Sequence, residues 1–263
     1  MRELSFDKMH GLGNCFVLID DRGDRALAGL DPAAVARMVC DRNTGIGADG
    51  LLLVRDAVGG VLRMRILNED GSEAEMCGNG IRCFARFALD RGITGDRELT
   101  VETLAGPIRT RILGDGQVEV DMGEPTPAAP VTAEDRRFAR VSMGNPHAVA
   151  FVEGFDFDWR TEGARVERAA VFPEGSNVHF ARVISPAEAE VKVWERGCGE
   201  TMACGTGACA VAVAGALEGR LERGPVTVRL PGGPLGIHWN ERNRVMMTGP
   251  AMLVCRGTYF FPG

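Results

Sequence analysis

Two stretches of this 263-residue chain follow one template. NEDGSEAEMCGNGIRCFARFAL begins at Asn68 and ERGCGETMACGTGACAVAVAGAL begins at Glu195. They align Cys77 with Cys204, 127 positions apart (204 − 77). At that offset Gly78 meets Gly205, Gly80 meets Gly207, Glu73 meets Glu200 and Asn68 meets Glu195. GLGNCFVLI around Asn14 resembles MGNPHAVAFV around Asn145, 131 positions apart (145 − 14), and Asn177 falls opposite Gly50. Several landmarks in one order at nearly one spacing mark an internal duplication. A duplicated chain is expected to fold as two pseudo-symmetric halves, which is a stronger constraint than any single motif.

Within each half the pattern reads as α+β. FVLID, GLLLVR, LRMRIL, LTVET, PIRTRIL and QVEVDM alternate as short strands, as do ARVSM, HAVAFV, NVHFARV, AEVKVWE, VTVRL, GIHW and VMMTG. The GDG at Gly114 to Gly116 predicts a hairpin turn. Helices are expected over Pro32 to Cys40, Gly80 to Arg91 and Gly207 to Gly219. Many short strands with one strong helix per half predict a curled, mostly antiparallel sheet around a central helix. The break between halves is expected in the proline-rich stretch from Met122 to Pro130, which should not continue a strand.

Composition narrows the function. A net charge of -6 argues against a nucleic-acid partner. The longest apolar stretch, around Ala208 to Leu217, is too short to span a bilayer, and the first residues hold no apolar core of signal length. A cytoplasmic protein without a membrane partner is expected. Its eight cysteines then read as thiols. Lys8 and Lys192 are the only lysines, which disfavours, without excluding, a Schiff-base cofactor.

Cys77 and Cys204 each precede a glycine-rich turn that opens a helix. A helix start offers unpaired N–H groups and a partial positive charge, which favour a thiolate and also cradle a carboxylate. Two such turns related by a twofold would place sulfur on both sides of one substrate carbon. One thiolate could then take an α-proton while the other thiol returns one to the opposite face. That is the chemistry of a stereochemical inversion. Buried cysteines are more often small hydrophobes, the reading adopted for Cys40, Cys83, Cys198, Cys209 and Cys255. A zinc site is disfavoured by the spacing, which holds no C-x2-C pair and no histidine close in sequence. His10, His179 and His238 read as structural, Arg82 as solvated or structural, and Glu73 and Glu200 as helix caps or positioning groups.

FDKMHGLGN, NEDGSEAEMCGNGIRCFAR, VSMGNPHAV, PEGSNVHF, WERGCGETMACGTGACA and VMMTGPA together resemble the diaminopimelate epimerase family, in the family's order from Phe6 onward. The resemblance implies cofactor-independent interconversion of LL- and meso-2,6-diaminoheptanedioate, on the route to lysine and the cell wall, by a homodimer. It makes Cys77 and Cys204 the acid/base thiols. Gly78, Asn79, Gly205 and Thr206 would hold the reacting carboxylate. Asn14, Asn68, Asn145, Asn177, Glu195 and Arg196 would hold the rest of this small diamino dicarboxylic acid. His147 and Glu195 would assist proton movement near Cys77 and Cys204 respectively. It implies no metal. It also implies domains over 1–121 with 250–263, carrying Cys77, and over 122–249, carrying Cys204. The chain departs from the family pattern at Cys15 (usually Asp), at Gly50 (usually a substrate-contacting Gln) and at Cys255 (usually a Tyr linked to the dimer).

Two other readings stay open on sequence. A proline or hydroxyproline racemase shares the two-cysteine plan but typically carries His where Asn79 stands. A non-enzymatic thiol redox sensor would oxidise Cys77 and Cys204 without turnover.

Overall fold

A computed structural model describes residues 2–261; Met1, Pro262 and Gly263 lie outside the described residues. The chain divides into two compact units, Met1–Val120 with Gly249–Gly263, and Asp121–Thr248.

In the first unit, strands β1 (Glu3–Gly11), β2 (Asn14–Asp20), β3 (Gly50–Asp56), β4 (Leu62–Asn68), β5 (Glu73–Ala74), β6 (Glu98–Thr103), β7 (Gly106–Ile112) and β8 (Gln117–Asp121) accompany helices α1 (Pro32–Cys40) and α2 (Gly78–Asp90). The β1–β2, β3–β4, β4–β5, β6–β7 and β7–β8 pairs are antiparallel. The β2–β3 and β4–β6 pairs are parallel. The last strand, β18 (Met252–Phe260), runs antiparallel to β1, from Glu3 opposite Phe260 to His10 opposite Met252.

The second unit repeats this order. Its strands are β9 (Thr126–Ala133), β10 (Arg136–Ser142), β11 (Pro146–Phe151), β12 (Asn177–Ser185), β13 (Glu188–Glu195), β14 (Gly199–Glu200), β15 (Pro225–Leu230), β16 (Gly233–Trp239) and β17 (Val245–Pro250), with α3 (Trp159–Glu167) and α4 (Gly205–Leu217). The β11–β12 and β13–β15 pairs are parallel, and the β9–β10, β10–β11, β12–β13, β13–β14, β15–β16 and β16–β17 pairs are antiparallel. β9 stands to β10 as β18 stands to β1.

Each unit packs one helix within its sheet and one outside it. α2 touches β1, β2, β3, β4 and β7, and α4 touches β10, β11, β12, β15 and β16. α4 can be buried nearly all round because GTGACAVAVAGAL carries only small side chains until its last residue. α2 carries Phe84 and Phe87 instead, with Arg82 fully buried among them. Outside, Val35, Ala36, Val39 and Cys40 of α1 pack on Val17, Ile19, Leu51 and Leu53. Trp159 and Val166 of α3 pack likewise in a cluster with Phe138, Val178 and Phe180.

Three sequence expectations need correction. The two inner helices begin two residues earlier than expected, because the glycines after each cysteine are already helical. α3 was not foreseen, since WRTEGARVE is polar and carries an internal glycine. The proline-rich stretch does form a strand: β9 holds Pro127 and Pro130 and pairs with β10 in its unit, where an outer strand tolerates proline on its solvent side. The GDG turn closes the β7–β8 hairpin, with Asp115 and Gly116 both at positive φ.

Candidate active site

The site residues fall into two sets, one in each unit. In the first unit the chain leaves β5 and enters α2 at Cys77, the helix N-cap, whose sulfur accepts the Gly80 N–H at 3.4 Å. The same thiol donates to Asn14 Oδ1 at 3.7 Å. Asn14 Oδ1 also accepts from Asn79 Nδ2 at 3.4 Å, so the start of β2 and the first turn of α2 are joined at the sulfur. Arg82 lies beneath, donating to Gly78 O at 2.8 Å, Asn79 Oδ1 at 2.9 Å and Pro250 O at 3.2 Å. Arg82 is therefore wholly buried and structural, and the solvated alternative is excluded.

Asp49 is a participant that the sequence did not reveal. It accepts Asn14 Nδ2 at 3.1 Å and the Cys15 N–H at 2.7 Å, and it pairs with Arg42. Burial and then the Asp49 charge push the Cys15 thiol up. Gly50 follows, and a side chain there would bring a Cβ within 2.8 Å of Leu67 O, so the backbone itself excludes a glutamine in this geometry. Asn68 ends β4 exposed, with Nδ2 on Ser72 Oγ at 2.9 Å.

In the second unit Cys204 caps α4 and is 4% exposed. Burial, and then the charge of Glu195, raise its thiol well above the usual range, with a smaller opposing pull from Thr206, 3.6 Å away. Glu195 ends β13; burial raises its carboxyl too, against hydrogen bonds from Thr201 at 2.5 Å and from Cys204. The Cys204 thiol is hydrogen-bonded to the half-buried Glu195 carboxyl, so the protonation of one is linked to that of the other.

Asn145 reaches Thr206 Oγ1 at 3.5 Å through Nδ2 and His147 Nε2 at 2.9 Å through Oδ1. His147 Nδ1 lies 2.9 Å from His179 Nε2. Asn177 is buried, with Nδ2 on Pro146 O and Oδ1 accepting the Arg196 N–H. Arg196 is exposed, with one guanidinium nitrogen on Glu174 O at 2.9 Å.

Other expectations are corrected here. Glu73 and Glu200 are not helix caps: each forms a two-pronged pair with an arginine, Arg65 and Arg160 respectively. Cys198 and Cys255 are exposed, unlike buried Cys40, Cys83 and Cys209, because one sits in the turn after β13 and the other on the open face of β18.

Comparison with known proteins shows the family. The diaminopimelate epimerase family model matches residues 6–127 and 139–254. The diaminopimelate epimerase of Desulforudis audaxviator is 50% identical over 97% of this chain and 99% of its own. That of Geobacillus kaustophilus is 44% identical over 100% and 99%. Among solved structures, a phenazine biosynthesis protein of Bacillus anthracis superposes with a TM-score of 0.76 at 14% identity, covering 99% of this chain and 100% of that one. A hydroxyproline epimerase of Agrobacterium vitis does so at 0.69 and 16%, covering 98% and 91%. At those identities the two structures share the fold alone. Near-complete matches to the curated relatives go further: this chain is an enzyme and belongs to the diaminopimelate epimerase family.

Proposed function

We propose that the chain interconverts LL- and meso-2,6-diaminoheptanedioate by proton transfer at the α-carbon, with Cys77 and Cys204 as the paired base and acid and no cofactor. The observation that carries this reading is that each unit seats one cysteine as the N-cap of its inner helix. There the first-turn N–H groups and the helix dipole favour a bound carboxylate and the charge that develops on it as the α-proton leaves. Cys204, held protonated by burial and Glu195, rests as the proton donor. When the reaction runs the other way, Glu195 takes the Cys204 thiol proton and the resulting thiolate removes the α-proton. Cys77, which accepts the Gly80 N–H, serves as the base in the forward direction.

Asn79 and Gly78 on one helix, and Gly205 and Thr206 on the other, hold the reacting carboxylate. Asn14, Asn68, Asn145, Asn177 and Arg196 take the remaining ammonium and carboxylate groups, with Arg196 suited to grip a carboxylate in two-pronged fashion. His147, hydrogen-bonded to Asn145, positions that amide and assists proton movement near Cys77. The protein works as a cytoplasmic homodimer in lysine and cell-wall precursor synthesis. The exposed apolar residues Met252, Leu253 and Val254 of β18, beside exposed Cys255, support a pairing surface. Among the described residues no helix is long and apolar enough to cross a membrane.

The test is α-proton exchange by NMR in deuterated water. LL-Diaminopimelate is expected to exchange and invert, and proline to do neither. Exchange with proline alone would overturn the substrate assignment. No exchange with either, on fully reduced protein, would overturn the enzymatic one.

A further inference from the structure

The two copies of the duplication differ at one pair of strands. On the parallel pair β2–β3, Phe16 stands opposite Gly50. On the equivalent pair β11–β12, His147 stands opposite Asn177. Two residues further along the strand, Leu52 of the first unit corresponds to His179 of the second. Apolar side chains in one copy are thus imidazoles in the other. Both imidazoles are buried, at 1% and 0% exposure, and their rings meet with nitrogens 2.9 Å apart.

Cys204 completes a trio. One ligand atom from each of His147, His179 and Cys204 lies within 4.8 Å of the other two. Spacing along the chain gave no hint of this, since the three residues come from β11, β12 and the start of α4.

We propose that His147, His179 and Cys204 form a site for a soft divalent cation of the zinc class, and that filling it silences Cys204 as an acid. Two imidazole nitrogens and one thiolate suit such a cation, whereas magnesium and calcium demand oxygen ligands. Bond lengths of about 2.0–2.3 Å require ligand atoms roughly 3.3–3.8 Å apart, so the facing nitrogens part by a few tenths of an ångström and the wider gaps close by up to about 1 Å. On binding, the thiol proton leaves to solvent and sulfur joins the metal. The Glu195 carboxylate, hydrogen-bonded to Cys204, offsets the charge that remains. A neutral imidazole carries a lone pair on one ring nitrogen, the form in which histidine binds such cations.

The binding half stands independently of the reaction; the silencing half rests on the assignment of Cys204 as acid. The experiment titrates reduced full-length protein anaerobically with Co2+ and follows the near-ultraviolet thiolate-to-cobalt band. One Co2+ per chain is expected, displaced stoichiometrically by Zn2+. Cys204→Ser is expected to remove the band, and His179→Asn to weaken binding at least tenfold. His179→Gln serves if thermal melting shows that His179→Asn is unfolded.

No band in the wild type, an unchanged band in Cys204→Ser, or unchanged affinity in both folded His179 variants would overturn the site. In the activity arm, Zn2+ is expected to inhibit turnover reversibly on chelation, with at least tenfold less potency against the His179 variant. Zn2+ bound at this site with turnover intact would overturn the silencing. Absence of turnover before any metal is added would instead overturn the proposed reaction and leave the cobalt result readable.

Discussion

The two inner helices begin with the same Cys-Gly-x-Gly turn, yet their surroundings are built of different matter. In the first unit the turn rests on a buried arginine: Arg82 binds the Gly78 carbonyl and the Asn79 side chain of its own first turn and reaches Pro250. At the matching position of the second unit stands Cys209, in a helix of small residues. What supports that turn comes from the strands, where His179 presses on Gly207 so closely that a Cβ there would lie 2.2 Å from its ring. The corresponding Gly80 is relaxed, with its nearest neighbours at 3.4 Å. One copy is braced by a hydrogen-bonded cation from within the helix, the other by a ring packed from without. A duplicated backbone can therefore keep two helix starts alike while the means of holding them diverge.

The largest test of this contrast concerns the sulfurs themselves. Cys77→Ala and Cys204→Ala are each expected to lower epimerisation by at least about 10²–10⁴-fold, the range for loss of a general acid or base, with little change in thermal melting. Full activity in either variant would break the equivalence of the two turns.

Next come the braces. Arg82→Leu strands several buried acceptors and is expected to cost at least about 3 kcal/mol in urea unfolding, against about 1 kcal/mol for Cys209→Ala. Equal costs would show that the arginine does not brace its turn. Gly207→Ala is expected to destabilise by about 1–3 kcal/mol through overpacking, while Gly80→Ala stays within about 1 kcal/mol of wild type. A Gly207→Ala, His179→Ala double-mutant cycle should return a coupling of at least about 1 kcal/mol, and additivity there would remove His179 from the explanation.

The smallest effect is a pH dependence shared by both units. Burial raises the thiols of Cys40 and Cys83 to about 12 and that of Cys204 well above its usual value. A raised thiol stays protonated in the folded chain after the unfolded chain has ionised, so its contribution is complete below about 9 and is lost as pH climbs toward about 12. Stability should accordingly fall between about pH 9 and about pH 12, and Cys83→Ala should flatten that fall. A slope unchanged in Cys83→Ala would remove this thiol from the linkage.

Much of the fold was legible because the duplication carried it. The same 127-residue shift that aligns Cys77 with Cys204 carries α1, Pro32–Cys40, onto α3, Trp159–Glu167. Local pattern failed at α3 because its outward face is charged and Gly163 interrupts it; the closeness of Gly163 to Trp194, with a Cβ meeting that ring at 3.0 Å, explains the glycine. β9 was missed because proline is read as a breaker, and nothing in the local residues says that a strand lies at an edge. In the site, the cysteines and their glycines were evident from chemistry at a helix start. Asp49, Thr201 and His179 were not, since each acts on a partner many residues or a strand away. Arg82 looked like any surface arginine, and only packing reveals a wholly enclosed guanidinium.

The antiparallel pairing of β18 with β1 bears on how the chain matures during synthesis. Translation delivers the whole Asp121–Thr248 segment before the strand that finishes the opening unit has been made. The later-encoded unit can thus close while the earlier one still waits with β1 unpaired along that side. A nascent chain stalled before Met252 should resist protease in its middle segment and remain cleavable near its beginning.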